Sequence, residues 1–87
     1  MMLRTPAGRV AVWVRDLNDP TAVVVSPDGG VFVAEEGAGR VSRVHPEGTT
    51  TVVADGLGQP RDIEFLDAKT MLVSDRQGGV IWKVTLP

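Results

Sequence analysis

The chain has 87 residues, a formal net charge of −2, one histidine and no cysteine. This length allows one domain at most, and a chain without cysteine has neither a disulfide framework nor a thiolate metal site. The basic residues are scattered, which argues against nucleic-acid or membrane partners because both need a concentrated positive patch. No apolar run is typical of a signal peptide or long enough to cross a bilayer, so we expect a cytoplasmic protein.

Short runs rich in Val, Ile, Phe and Trp predict β-strands along the chain, because each run ends at Gly, Pro, Asn or Asp. Tight Pro- and Gly-containing turns are predicted at residues 5–8, 26–30 and 45–48. No segment keeps an apolar period of 3.6 residues, so essentially no helix is expected. In chain order the predicted strands are residues 9–15, 21–26, 31–35, 40–45, 49–54, 62–66, 71–75 and 80–86.

The sequence also repeats itself once, without a gap, at a spacing of 40 residues. Residues 3–47 align with residues 43–87, so that Pro20 meets Pro60 and Glu35 meets Asp75. The shared positions are turn residues and strand cores, which are the positions that a fold dictates. A period of about 40 residues in a strand-rich chain is typical of β-propeller blades.

The first repeat resembles the NHL type of β-propeller blade. It has a Pro-led start at Pro20, an apolar strand, a Pro-Asp-Gly turn, a second strand ending at Glu35 and a third strand led by Arg40. Residues 59–84 are similar to the same pattern and to blades of gluconolactonase-like and sugar-dehydrogenase-like propellers. Ala22 and Asp62 depart from the pattern, because the family usually has Gly there. The resemblance implies an all-β fold with two four-stranded blades per chain, and it leaves the activity open because these blades serve enzymes and binding modules alike.

The predicted strands divide into an outer strand at residues 8–16, a first blade at 17–56 and three strands of a second blade at 57–87. The second blade needs a fourth strand, which we expect residues 8–16 of a neighbouring chain to supply by strand exchange. Both faces of a blade pack on adjacent blades, so two blades alone leave apolar faces and a strand edge in water.

A head-to-tail ring covers all of these surfaces. The resembled families typically have six blades, so we expect a homotrimer that completes a six-bladed propeller by homo-oligomerisation. A dimer, a tetramer and a piece of a longer propeller are the alternatives.

Polar residues predicted at the rim and channel are the candidate ligand-binding residues. In gluconolactonase-like propellers, oxygen ligands hold a divalent cation near the axis, so Asp62 is the candidate metal residue here, with Asn18 and Asp19, for Ca²⁺ or Mg²⁺. Otherwise no cofactor is expected. The full candidate set is Asn18, Glu35, Glu36, Arg61, Asp62, Glu64, Asp75 and Arg76.

These residues also have purely structural interpretations. Glu35 and Asp75 are alternatively acceptors for loop amides or ion-pair partners of Arg40 and Arg76. Asp62 and Glu64 alternate with the apolar side chains of a predicted inner strand, and they are alternatively solvated channel residues.

Two functional classes stay open. One is a non-enzymatic module that assembles head to tail into a closed ring and binds a small ligand or protein on its rim or channel. The other is a metal-dependent lactonase-like hydrolase, or a truncated remnant of a larger propeller enzyme. We favour the module, since one chain lacks a Glu-Asn-Asp metal triplet and threefold symmetry would repeat identical side chains around the axis. His45 lies in a turn on the opposite rim, which argues against a His-assisted nucleophile.

Overall fold

The structure is a computed structural model that describes residues 11–87. The described chain is all-β, as predicted, apart from a single 3₁₀ turn at Glu36–Ala38. Its strands are β1 (Pro20–Val25), β2 (Val31–Glu35), β3 (Arg40–Val44), β4 (Thr50–Ala54), β5 (Pro60–Asp67), β6 (Thr70–Asp75) and β7 (Val80–Thr85).

The strands form two antiparallel sheets in which every strand pairs with the next strand in sequence. The first sheet has the order β1-β2-β3-β4 and the second sheet has the order β5-β6-β7. The repeat extends to irregularities: the register shifts between Pro20 and Ala22 in the first sheet and between Pro60 and Asp62 in the second. We call residues 40 positions apart counterparts, because they occupy equivalent places in the two sheets.

The turn predictions at residues 26–30 and 45–48 are confirmed. The Ser26 amide donates a hydrogen bond to the Gly30 carbonyl at 2.7 Å, and the His45 amide donates to the Thr49 carbonyl at 2.8 Å. Gly29 has a φ of 91°, in the left-handed region that Pro-Asp-Gly turns require. The turn predicted at residues 5–8 lies outside the described residues.

The two sheets pack face to face through one apolar core. Phe32 from the first sheet contacts Phe65 from the second, with ring centroids 5.1 Å apart. The Thr21 hydroxyl donates to the Pro60 carbonyl at 3.0 Å and ties β1 to β5. We call the two packed surfaces the inner faces; their buried side chains, with Leu57 of the connecting loop, are Phe32, Ala34, Val41, Ile63, Met71 and Val73.

The opposite surface of each sheet, its outer face, carries exposed apolar side chains. Val23 and Val25 on the first sheet are 70% and 62% exposed, and Ile81 on the second is 69% exposed. The second sheet also has an open edge, because no strand within residues 11–87 pairs with the far side of β7. Each sheet therefore leaves apolar side chains facing solvent on its outer face, and the second sheet leaves an unpaired strand edge as well.

Residues 11–16, the described part of the predicted outer strand 8–16, pair with no strand within residues 11–87. They lie against the first sheet, where the Trp13 indole N–H donates to the Pro46 carbonyl at 3.0 Å. The counterparts of Trp13 and Pro46 are Val53 on β4 and Leu86, which pack in the same apolar cluster. Trp13 therefore takes the place beside the first sheet that Val53 of β4 takes beside the second sheet. The pairing predicted for residues 8–16 involves another chain, so it stays a prediction.

Candidate functional site

The rim is the end of the two sheets where β2 and β6 finish and where β1 and β5 begin. Glu35, the last residue of β2, is completely buried there. Its carboxylate accepts bonds from the Arg40 guanidinium at 3.0 and 3.1 Å, from the Ser42 hydroxyl at 2.6 Å and from the Asn18 amide at 3.0 Å. Burial raises the pKa of Glu35, but the bonds from Arg40, Ser42 and Asn18 outweigh it and lower the pKa to about 2. The Arg40 ion pair considered from the sequence is therefore present.

Asp75, the counterpart of Glu35, is held by different donors. Its carboxylate accepts bonds from the amides of Gln59, Gln77 and Gly78 and from the Trp82 indole, all between 2.9 and 3.1 Å. The bond from Gln59 above all lowers the pKa of Asp75; burial opposes that shift, and the bonds from Gly78, Trp82 and Gln77 reinforce it.

A side chain at Gly58, on the loop before β5, would collide with this carboxylate. A Cβ there would lie 2.6 Å from Asp75 Oδ2, and Gly58 has a φ of 71°. The carboxylates of Glu35 and Asp75 thus lock the loops that lead into β1 and β5.

Three charged residues meet between the sheets on the same rim. Glu36 follows β2, and its carboxylate lies 3.5 Å from Arg61 Nε and 4.0 Å from Arg76 Nη1. The interpretation that pairs Arg76 with Asp75 is wrong, because amides and an indole occupy Asp75 and Arg76 turns to Glu36 instead. Glu36 Oε2 is buried and has no hydrogen-bond partner among the described residues. These contacts are at the long end of ion pairing, so the cluster is charged but loosely held.

Of the remaining candidates, Asn18 lies next to Glu36 on the rim, whereas Asp62 and Glu64 lie on a sheet face. Asn18 contributes its backbone to the rim, where its carbonyl accepts a bond from the Gly37 amide at 3.2 Å. Asp62 and Glu64 are exposed on the outer face of the second sheet, where they line a shallow depression of about 180 Å³ with Leu72, Ser74 and Ile81. Within residues 11–87 there is no group of three His, Cys, Asp or Glu side chains arranged to hold a metal ion.

A cleft that the sequence did not suggest lies at the opposite end of the sheets. It has a volume of about 210 Å³ and is lined by Arg43, His45 and Lys69 above apolar residues including Phe32 and Leu86. Arg43 lies over the Phe32 ring, 5.6 Å from its centroid. These residues come from different turns and strands of both sheets, so spacing along one element gives no signal for the cleft. In the same cleft His45 Nε2 lies 2.7 Å from the Thr51 hydroxyl, so a hydroxyl stands within hydrogen-bond reach of an imidazole there.

The comparisons with known proteins return no match, since neither a family model, nor a curated protein, nor a solved structure matches the chain. In the part of the chain that the structure describes, no helix has the length and apolarity needed to cross a membrane. The described residues present a hydrogen-bonded rim, an apolar outer face on the first sheet, a mixed outer face with two carboxylates on the second sheet, and an open strand edge.

Proposed function

We propose that this protein is a non-enzymatic assembly module whose partner is a second copy of itself, joined head to tail into a closed β-propeller ring. The observation that carries the proposal is the relation between the inner and outer faces. The outer face of the first sheet is the counterpart of the inner face of the second, and the reverse also holds. The two outer faces are therefore counterparts of the two inner faces, which already pack on each other within the chain.

Individual residues show how close this relation is. Val23 is 70% exposed, whereas its counterpart Ile63 is 6% exposed in the core. Ile81 is 69% exposed, whereas its counterpart Val41 is completely buried. Burying a Val or Ile side chain is worth about 1.5–3 kcal/mol. Placing the second sheet of one copy on the first sheet of the next would remove these side chains from water.

The position of residues 11–17 favours the same arrangement. Val12 and Trp13 are 63% and 50% exposed, although both are large and apolar. By the repeat, residues 10–14 are counterparts of β4, the strand that pairs with β3, and β3 is in turn the counterpart of β7. We infer that residues 10–14 of one copy pair with the open β7 edge of its neighbour.

Two residues oppose this packing. Asp62 and Glu64 stand where the first sheet has Ala22 and Val24, so a copy docked on the second sheet brings carboxylates toward Val23 and Val25. Carboxylates resist removal from water unless they are paired. Their counterparts Ala22 and Val24 are only partly buried against the core, so in the ring Asp62 and Glu64 would keep part of their contact with water.

The resembled families typically have six blades, so we propose a ring of three copies. Light scattering on the purified chain at micromolar concentration should give about three times the chain mass of 9.3 kDa. A folded single chain would contradict the ring and would leave the outer faces to further blades of a longer polypeptide or to another protein.

A variant of the outer face tests whether that face makes the contact. Val23→Asp places a charge on an exposed side chain, so it should leave each chain folded but reduce the assembly to single chains. Pro27→Asp adds the same charge in the exposed turn after β1 and should keep the wild-type mass. Equal masses for the two variants would exclude the outer face of the first sheet as the contact.

A further inference from the structure

We propose that Glu36 and Arg76 form a circle of alternating charges on the rim and fix the head-to-tail polarity with which a second copy binds. This inference rests on the proposed ring and adds the residues that decide its direction. It is drawn from one ion pair and from the repeat.

Glu36 and Arg76 are counterparts of opposite charge, 40 positions apart. Within the chain, Arg76 Nη1 lies 4.0 Å from Glu36 Oε1, across the boundary between the two sheets. The contact thus joins equivalent positions in successive sheets. If a further sheet packs in the same way, its residue equivalent to Glu36 or Arg76 comes to lie beside the equivalent residue of the sheet before it.

In a head-to-tail contact, the sheet that follows the second sheet is the first sheet of another copy. The backbone positions of Arg76 and of Glu36 of the partner subunit are then related as the two positions are within the chain, with the two charges exchanged. In the closed ring the charges alternate around the whole rim. In a head-to-head contact with both rims on the same side, Arg76 would meet another Arg76, and in the corresponding tail-to-tail contact Glu36 would meet another Glu36. Like charges at such contacts repel, so the alternation selects one polarity.

Arg61 provides an internal comparison. Its Nε lies 3.5 Å from Glu36 Oε2, which is closer than the approach of Arg76. Its counterpart, however, is Thr21, which has no charge. In the proposed ring, Arg61 therefore contacts Glu36 only within its own chain. Arg76 lies beside Glu36 of its own chain and also beside Glu36 of the partner subunit.

The test compares Arg76→Glu with Arg61→Glu in the full chain, by sedimentation equilibrium over a range of concentrations. Both changes alter the net charge equally and both remove a partner of Glu36. Arg76→Glu also places two carboxylates at every contact between copies, and it should raise the concentration for half-assembly roughly tenfold or more. Arg61→Glu should lower the melting temperature of the chain and leave that concentration within about twofold of wild type. Circular dichroism reports whether each variant is folded.

A full inversion supplies the rescue. Glu36→Arg, Arg61→Glu and Arg76→Glu together restore an opposite charge at every contact, within chains and between them, so assembly should return. The inference is overturned if Arg76→Glu assembles as the wild type does, or if the triple variant fails to recover. Should Arg76→Glu not fold, Arg76→Gln serves instead, and unchanged assembly there has the same meaning. A wild-type chain that stays single at all concentrations refutes the ring itself, whereas an assembled wild type that ignores Arg76 refutes only the charge circle.

Discussion

At the scale of single residues, the repeat keeps the role of a carboxylate and changes the groups that hold it. Glu35 is bound by a guanidinium, a hydroxyl and an amide, whereas its counterpart Asp75 is bound by three amides and an indole. Ser42 and Trp82, which donate to them, are themselves counterparts. The shorter acid, Asp75, accepts from the longer donor, Trp82. The loop before the first strand of each sheet is thus held by hydrogen bonds to a carboxylate, although the other donors differ.

Acid should therefore weaken the fold through Glu35. Its pKa falls from an ordinary value of 4.5 to about 2 in the folded chain, so its contribution to stability is complete above pH 4.5 and is lost as the pH falls toward 2. Glu35→Gln should cost about 1–3 kcal/mol at pH 7, because Arg40 loses its charged acceptor. Urea denaturation of both proteins should show that this difference shrinks below pH 4.5. A difference that stays constant down to pH 2 would contradict the assignment.

Calcium should have no effect on stability. Asp62 lies exposed on a sheet face, and Ca²⁺ requires about six to eight oxygen ligands. We expect neither a chelator nor added Ca²⁺ to move the melting temperature, and Asp62→Asn to behave as wild type. A rise with calcium that disappears in Asp62→Asn would favour the metal-dependent hydrolase over the assembly module.

At the scale of elements, strand positions follow from apolar runs between turn residues, and the seven strands of the two sheets were predictable to within two residues, whereas residues 11–15 of the strand predicted at 9–15 form no strand in the single chain. The strand β5 was predicted at residues 62–66 and spans Pro60–Asp67, because a register shift near Arg61 carries the pairing back to Pro60. The ion pair of Glu35 with Arg40 was considered from the sequence as part of the repeat pattern, and the structure makes the two residues cross-strand partners on β2 and β3. The cluster of Glu36 with Arg61 and Arg76 was not, since it depends on how one sheet lies on the other.

Residues 11–17 are either a strand whose partner is in another chain or an irregular segment, and proline substitutions distinguish the two interpretations. Pro removes a ladder hydrogen bond, and successive amides of a strand point to opposite sides. Of Ala11→Pro and Val12→Pro, the variant whose amide would face β7 of a neighbouring chain should reduce assembly, and the other should be close to neutral. Light scattering measures the mass of both variants, and the variant whose amide faces away from β7 is the control for the other. Two neutral variants would argue against strand exchange.

At the scale of the whole molecule, the surface is unusual for a small chain. Each sheet has its inner face covered by the other sheet and its outer face open to solvent. Apolar side chains such as Val23 and Ile81 are exposed without being scattered singly, a pattern that marks an interaction surface. The sequence predicted two such faces from runs without polar alternation, such as residues 23–25. It did not predict that Asp62 and Glu64 share a face with Ile81, because the face on which a residue lies depends on register.

The sequential strand order also sets the timing of folding. Each strand pairs with its neighbour in sequence, so every hairpin closes a short loop at low entropic cost. Contacts between sheets join residues far apart, such as Thr21 with Pro60 at a separation of 39 positions. The first sheet can therefore form during synthesis before β5 has emerged. Folding of one chain is a first-order process, whereas in the proposed ring the outer faces are covered by a second-order process that becomes faster as the protein accumulates.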